Sequence, residues 1–206
     1  MGRYTGAVCR LCRVAKEKLF LKGERCFSPK CTVEKRDNSP GRGSKWQSKP
    51  SDYGIRVQEK QKLRRMFGVN ERQFSRFFKM AARKKGVTGE ILLTLLERRL
   101  DNIVFKMGFA NSRPHARQLV THKFFYVNGR KVNIPSYLVK EGEVIEVDKN
   151  KIDKLKRALT SEVEREVPSW LSVEKKHFKG KLLKFPTGEE ISVPVDEKLV
   201  VELYSR

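Results

Sequence analysis

Four cysteines, the only ones in the chain, fall within the first 31 residues as two close pairs, Cys9 with Cys12 and Cys26 with Cys31. Two cysteines separated by two residues on a tight turn can chelate one ion, and a second close pair completes a tetrahedron of thiolates. Zinc suits so soft and closed a site, and His115, His122 and His177 lie far downstream, so the expected centre is Zn²⁺ on four cysteines. Four protein ligands leave no open position for an activated water, which makes the expected role structural. Arg10, Arg13, Arg25 and Lys30 stand nearby to offset the excess thiolate charge. Two disulfides or an iron–sulfur cluster on the same residues are the alternatives. The N-terminus has no secretory-type apolar stretch, which weighs against disulfides.

Charge sets the next constraint. The chain of 206 residues carries 46 Lys+Arg against 24 Asp+Glu, a net +22. Most of that excess lies before residue 87, where the run from Ser51 to Gly86 alone holds 11 basic and 3 acidic side chains. A compact protein tolerates such self-repulsion when a polyanion neutralises it. No apolar run approaches the roughly 20 residues needed to span a bilayer, and Gly6 occupies the position where myristoylation requires Ser or Thr. Nucleic acid is therefore the expected partner, with no membrane and no small-molecule substrate.

Along the chain, residues 32–50 form a turn-rich basic stretch read as an arm that orders on its partner. Within it, Trp46 between cations is suited to stacking on a base or to packing on a neighbouring helix. A helix is expected from Ser51, its cap, to Phe67, with Gly68 ending it. A second helix is expected from Asn70, with Phe74, Phe77, Phe78, Ala81 and Ala82 on its core face and Arg72, Arg76, Lys79 and Arg83 on the opposite one. Thr88 is expected to cap a third helix running to Gly108, with a break at Asp101-Asn102, and Ser112 a short helix reaching His122. The period then changes. Phe124 to Val127 and Arg130 to Val132 flank Asn128-Gly129, a strong hairpin signal because both turn residues accept positive φ. Val144 to Val147 reads as another strand, residues 150–166 as an amphipathic helix, and residues 178–195 as short strands and turns. The run from Leu199 to Tyr204 fits strand or helix equally.

The sharpest functional constellation is Ser112-Arg113-Pro114-His115-Ala116-Arg117, followed by the hairpin turn with Arg130 and Lys131. Arg113 and Arg117 are one helical turn apart beside a helix N-terminus, where free N–H groups and the dipole favour phosphate. Further candidate RNA-binding side chains are Arg56, Lys62, Arg64 and Arg65 on the first long helix, and Arg72, Arg76, Arg83, Lys84 and Lys85 on the second. Arg3 and Lys45 complete the set. Recognition through many phosphate contacts, and therefore steep salt dependence, is expected.

Arg98-Arg99-Leu100-Asp101-Asn102, Ala116-Arg117-Gln118-Leu119-Val120 and Val127-Asn128-Gly129 closely resemble the S-four-type RNA-binding module. The likeness to the bacterial S-four ribosomal protein family runs end to end. It includes Met1 to Gly6, the cysteine set, Gly23-Glu24-Arg25-Cys26, Gln61 to Arg65 and Val201 to Arg206.

The resemblance implies an α+β fold. A zinc-binding region and basic arm would span 1–48, and a helical lobe 49–97 would be completed by the C-terminal segment 168–206. The module and a following helix would occupy 98–167. It also implies a cytoplasmic component of the small ribosomal subunit that is a primary binder of small-subunit ribosomal RNA. Such a component nucleates assembly of the 5′ domain, contributes to translational accuracy through neighbouring ribosomal proteins, and in some relatives binds messenger RNA. The zinc expectation rests on the four cysteines and not on membership.

Two other classes compete. An RNA-modifying enzyme would need a catalytic constellation, yet the histidines are scattered and no Gly-rich phosphate loop is present. Only about 40 residues follow the module, too few for a typical separate catalytic domain. A zinc-dependent DNA-binding regulator fits the charge, but the cysteine spacing is not that of a Cys₂His₂ finger and the module favours structured RNA.

Overall fold

The computed structural model describes residues 4–36, 49–159 and 166–205. Arg3, Lys45, Trp46 and most of the basic arm lie outside the described residues. The chain divides into two compact units: residues 1–92 with 193–206, and residues 93–192 between them in sequence.

In the first unit, α1 (Val8–Ala15) is followed by a 3₁₀ turn (Gly23–Cys26) and the single-turn α2 (Thr32–Lys35). Cys9 and Cys12 sit one turn apart on a helix, not on the tight turn expected. α3 (Asp52–Met66) starts where the Ser51 side chain accepts from the Gly54 N–H, and α4 (Glu71–Ala82) where Asn70 Oδ1 accepts from the Gln73 N–H at 2.8 Å. Each cap satisfies a donor that the first helical turn leaves without an intrahelical partner. Phe74, Phe77, Phe78 and Ala81 are buried, as the 3.6-residue period requires, whereas Ala82, expected on the same face, is exposed at the end of the helix. The core closes with Leu63, Met66 and Phe67 of the α3 end and Val200 of the C-terminal helix.

In the third helical stretch the chain breaks earlier than expected. α5 (Thr88–Glu97) and α6 (Leu100–Lys106) are interrupted at Arg98-Arg99, not at Asp101-Asn102. Arg99 is extended (φ −63°, ψ 137°) and pairs with Leu138 as an isolated β-bridge. The physical reason is the 135–139 segment, which takes the place of a continuing helix. Tyr137 O accepts from the Leu100 N–H, Pro135 O from the Asp101 N–H, and the Val139 N–H donates to Arg98 O. The freed backbone groups at the start of α6 are thus paired. The start of α5 also differs, because Val87 O accepts from the Ile91 N–H and Thr88 is already helical.

Beyond α7 (Arg113–Thr121), strands β1 (Phe125–Val127), β2 (Arg130–Val132) and β3 (Val144–Val147) lead to α8 (Ile152–Ala158). β4 (Leu171–Glu174) and β5 (Lys179–Leu182) follow, and α9 (Glu197–Tyr204) returns to the first unit. The five strands form one antiparallel sheet in the order β2-β1-β3-β5-β4. The C-terminal boundary of the module is therefore corrected. Residues 168–192, assigned from sequence to the helical lobe, supply two of the five strands, because β5 pairs with β3 as Val144 with Lys181 and Glu146 with Lys179. Trp170, Leu171 and Leu182 are buried in the core beneath the sheet with Leu100, Ile103, Met107, Val120, Phe125 and Ile145. Gly180 is small for a reason, since a Cβ there would stand 2.7 Å from the Met107 side chain.

The hairpin turn forms as the dipeptide demands, with φ 47° at Asn128 and 74° at Gly129. Asn128 also ties the turn to the neighbouring strand: its N–H donates to Val144 O and its Oδ1 accepts from the Val144 N–H, both at 2.9 Å. The run left open at the C-terminus is helical, with Asp196 capping the Lys198 N–H.

Candidate nucleic-acid interface

The cations of α3 and α4 are disposed differently. On α3, Arg56 pairs with Glu202 at 2.7 Å, Lys62 with Glu59 at 2.7 Å and Glu17 at 3.0 Å, and Arg64 approaches Glu71 at 3.6 Å. Burial opposes the charge of Lys62, but its hydrogen bonds to Glu59 and Glu17 raise the ammonium pKa. Arg65 is half-buried, and burial together with Arg64 lowers its pKa. These side chains tie α3 to its neighbours.

On α4, by contrast, Arg72, Arg76 and Lys79 are exposed, as are Arg83, Lys84 and Lys85 at its end. Arg72, Arg76, Lys79 and Arg83 recur at i, i+4, i+7 and i+11 and so share one helical face, roughly 16 Å long. The only acid of α4 is Glu71 in its first turn, and it is held by Lys60 at 2.7 Å and by the Tyr204 hydroxyl at 3.0 Å. Four cations therefore face outward on a helix whose other side is a phenylalanine core.

In the second unit, Arg130 and Lys131 are exposed at the hairpin. Lys131 Nζ lies 3.0 Å from Asp148 Oδ2 and 5.1 Å from the centroid of the Tyr126 ring. Its bond to Asp148 raises the ammonium pKa and lowers that of the carboxyl. Ser112 caps α7 by accepting from the His115 N–H, with Pro114 in the first turn where its missing N–H costs nothing. Behind this helix lies a buried polar network that the sequence reading passed over. Arg99, fully buried, donates through Nε and Nη2 to both oxygens of Asp101 at 3.0 and 2.5 Å, and Arg117 Nη1 stands 3.5 Å from Asp101 Oδ2. Asn102 donates to Glu97 O at 3.1 Å and Glu97 Oε2 at 2.5 Å, and accepts from Arg113 Nε at 2.8 Å. The Arg113 guanidinium also lies 4.8 Å from the Phe105 ring centroid. Arg117 is thus buried and Arg113 half-buried, where the expectation was an open basic face. The available signal was two polar residues, Asp101 and Asn102, in the middle of an apolar helical run: polar groups enter a core only when bonded there.

The four cysteines are free thiols, with Cys12, Cys26 and Cys31 buried and Cys9 half-buried. Burial pushes the Cys12 and Cys26 thiols up, and the neighbouring cysteines add to this: Cys26, Cys9 and Cys31 for Cys12, and Cys31 and Cys9 for Cys26. The Lys22 N–H donates to Cys26 Sγ at 3.3 Å, and Leu19 supplies a backbone bond to Cys12. Four cysteine sulfurs, with N–H groups directed at two of them, are donors of the soft kind that Zn²⁺ takes. Among the described residues, no three of His, Cys, Asp and Glu stand close enough to hold one ion. No helix among the described residues is long and apolar enough to cross a membrane.

The first unit thus carries an exposed cationic helix face, and the second a capped helix and a tight basic hairpin on a small antiparallel sheet. Residues 3–97 match the ribosomal protein S4/S9 N-terminal domain and residues 98–145 the S4 domain. The chain is 55% identical to small ribosomal subunit protein uS4A of Symbiobacterium thermophilum and 53% identical to uS4 of Syntrophus aciditrophicus. It is 52% identical to uS4 of Thermus thermophilus, and all three similarities cover 100% of both chains. The chain belongs to the uS4 family of small ribosomal subunit proteins. The enzyme alternative falls with this, because these relatives are ribosomal structural proteins.

Proposed function

We propose that the chain is a structural component of the small ribosomal subunit that binds folded small-subunit ribosomal RNA by its phosphate backbone. The observation that carries this reading is the exposed row Arg72, Arg76, Lys79 and Arg83, which continues into Lys84 and Lys85 on a chain of net +22. Arg130 and the hairpin turn add a second point of approach, with Lys131 beside it and the capped end of α7 nearby in sequence. Phosphate contacts fix register and orientation, and a folded junction offers the shape to be read. The family resemblance adds early binding to the 5′ domain, contact with neighbouring small-subunit proteins and a contribution to translational accuracy.

A structural Zn²⁺ held by Cys9, Cys12, Cys26 and Cys31 belongs to the same proposal. The spacing of the four cysteines in two close pairs, their free thiols and the N–H groups aimed at Cys12 and Cys26 support it. Bound there, the ion supplies a cross-link between α1 and the 23–31 segment, and with four protein ligands it supplies no reactive position.

Competition at matched salt among a 5′-domain ribosomal RNA fragment, a messenger RNA leader and duplex DNA tests the function. The fragment is expected to win by at least an order of magnitude. Equal affinity for duplex DNA would contradict RNA recognition, and preference for the messenger leader would make regulation the primary activity.

A further inference from the structure

We infer that Asn102 is a positioning residue for RNA recognition, holding the Arg113 guanidinium in one orientation while touching no RNA itself. The inference rests on the proposed function, in which the start of α7 approaches a phosphate backbone. Asn102 is only 2% exposed, so direct contact with a ligand is closed to it. Its amide is used on both sides. Both donated bonds go to Glu97, one to the backbone carbonyl and one to the carboxylate, and the carbonyl oxygen accepts from Arg113 Nε. The two bonds to Glu97 fix which way the amide faces, because the opposite flip would set a carbonyl oxygen against a carboxylate. With the amide fixed, Nε is held at 2.8 Å on one edge of the guanidinium, and the Phe105 ring lies 4.8 Å from its carbon. An arginine side chain otherwise has many rotamers to lose on binding, and one already held in place loses fewer. Glu97 is 1% exposed and sits at the end of α5, so the relay runs from a buried carboxylate through a buried amide to the guanidinium of Arg113, a partly exposed residue at the first turn of α7 whose pKa burial lowers against the pull of Glu97 and Asp101.

A double-mutant cycle on RNA affinity separates this role from simple support of the fold, because coupled residues give non-additive losses. The full-length protein is titrated with the 5′-domain ribosomal RNA fragment as wild type, Asn102→Ala, Arg113→Ala and the double variant, at a temperature where circular dichroism shows each folded. Asn102→Ser, which keeps a hydroxyl beside Glu97, runs through the same cycle so that the test does not depend on the stability of the alanine variant. Arg113→Ala is expected to weaken binding roughly ten-fold, as loss of one oriented phosphate contact does. Either change at position 102 is expected to weaken it several-fold in the wild-type background and less than two-fold in the Arg113→Ala background. An equal loss in both backgrounds would overturn the relay and leave RNA binding intact. Arg113→Ala without effect would overturn it too, by removing Arg113 from the contact set. Failure of the wild-type protein to bind the fragment would instead overturn the proposed function.

Discussion

Tyr204 stacks on Phe78 with ring centroids 4.4 Å apart and an interplanar angle of 20°. The contact seals α9 to the core face of α4, the helix whose opposite face carries the exposed cations. The Tyr204 hydroxyl donates to Glu71 Oε1 at 3.0 Å, and Lys60 Nζ lies 5.7 Å from its ring centroid. Burial, reinforced by the bond to Glu71, pushes the Tyr204 pKa up. The third-last residue of the chain therefore braces the proposed RNA-binding helix from behind.

Replacing Tyr204 by Ala is expected to lower stability by about 2 kcal/mol, through lost aromatic packing and apolar burial. Tyr204→Phe keeps the stack and loses only the bond to Glu71, so about 1 kcal/mol or less is expected. Urea denaturation reads both. A phenylalanine variant as unstable as the alanine one would show that the hydroxyl, and not the ring, holds α9 in place.

The acid response has a local reporter in Glu190. The carboxylate accepts from Lys184 Nζ at 2.7 Å, from the Thr187 N–H at 3.1 Å and from the Ser169 hydroxyl at 2.8 Å. Led by Lys184, these bonds lower its pKa from 4.5 to about 2. A folded-state pKa below the unfolded value means that the stabilisation is complete above the unfolded value and is lost as pH falls through the folded one. Glu190→Gln should therefore be less stable than wild type at neutral pH, with the difference shrinking from about pH 4.5 downward and vanishing below about 2. Thermal melts across that range, with an NMR titration of the carboxyl carbon, measure it. A midpoint near 4.5 would mean that these bonds do not persist in solution.

Much of this arrangement could be read from the sequence. Ser51, Asn70 and Ser112 announce helix starts because an oxygen side chain before an apolar-periodic run satisfies a first-turn N–H. Asn128-Gly129 announces a hairpin because both residues take positive φ. The elements that could not be read depend on contacts distant in sequence. The chain breaks at Arg98-Arg99 because residues 135–139 supply the backbone partners. Residues 168–192 join the sheet because β5 meets β3, about 35 residues earlier in the chain. Basic residues were legible as a population but not one by one: the sequence does not say that the α3 cations meet Glu17, Glu59, Glu71 and Glu202 while those of α4 stay exposed.

The combined change Arg72→Ala, Arg76→Ala and Lys79→Ala should leave the melting temperature within a degree or two, since all three side chains are exposed. Affinity for ribosomal RNA should fall by about two orders of magnitude near physiological salt. The slope of log affinity against log salt should become shallower by about 2, at roughly 0.7–0.9 per phosphate contact. An unchanged slope would remove this face of α4 from the interface.

Chelation of the reduced protein should release one equivalent of zinc, about one ion per chain. Hydrogen exchange should then accelerate in residues 4–36 and stay unaltered around α6 and β1, because structural zinc contributes roughly 10–16 kcal/mol to folding its own small unit. Elemental analysis of natively purified, reduced protein is the companion measurement. Absence of any bound ion would sink the zinc proposal and leave the RNA-binding account untouched.

The most direct test of the central claim is ultraviolet cross-linking of the protein to total cellular RNA, with adducts located on both partners. Small-subunit ribosomal RNA should dominate the captured RNA, with peptide adducts concentrated between Arg72 and Lys85 and at the 128–131 turn. Capture without enrichment of ribosomal RNA, or adducts confined to α8 and α9, would contradict it.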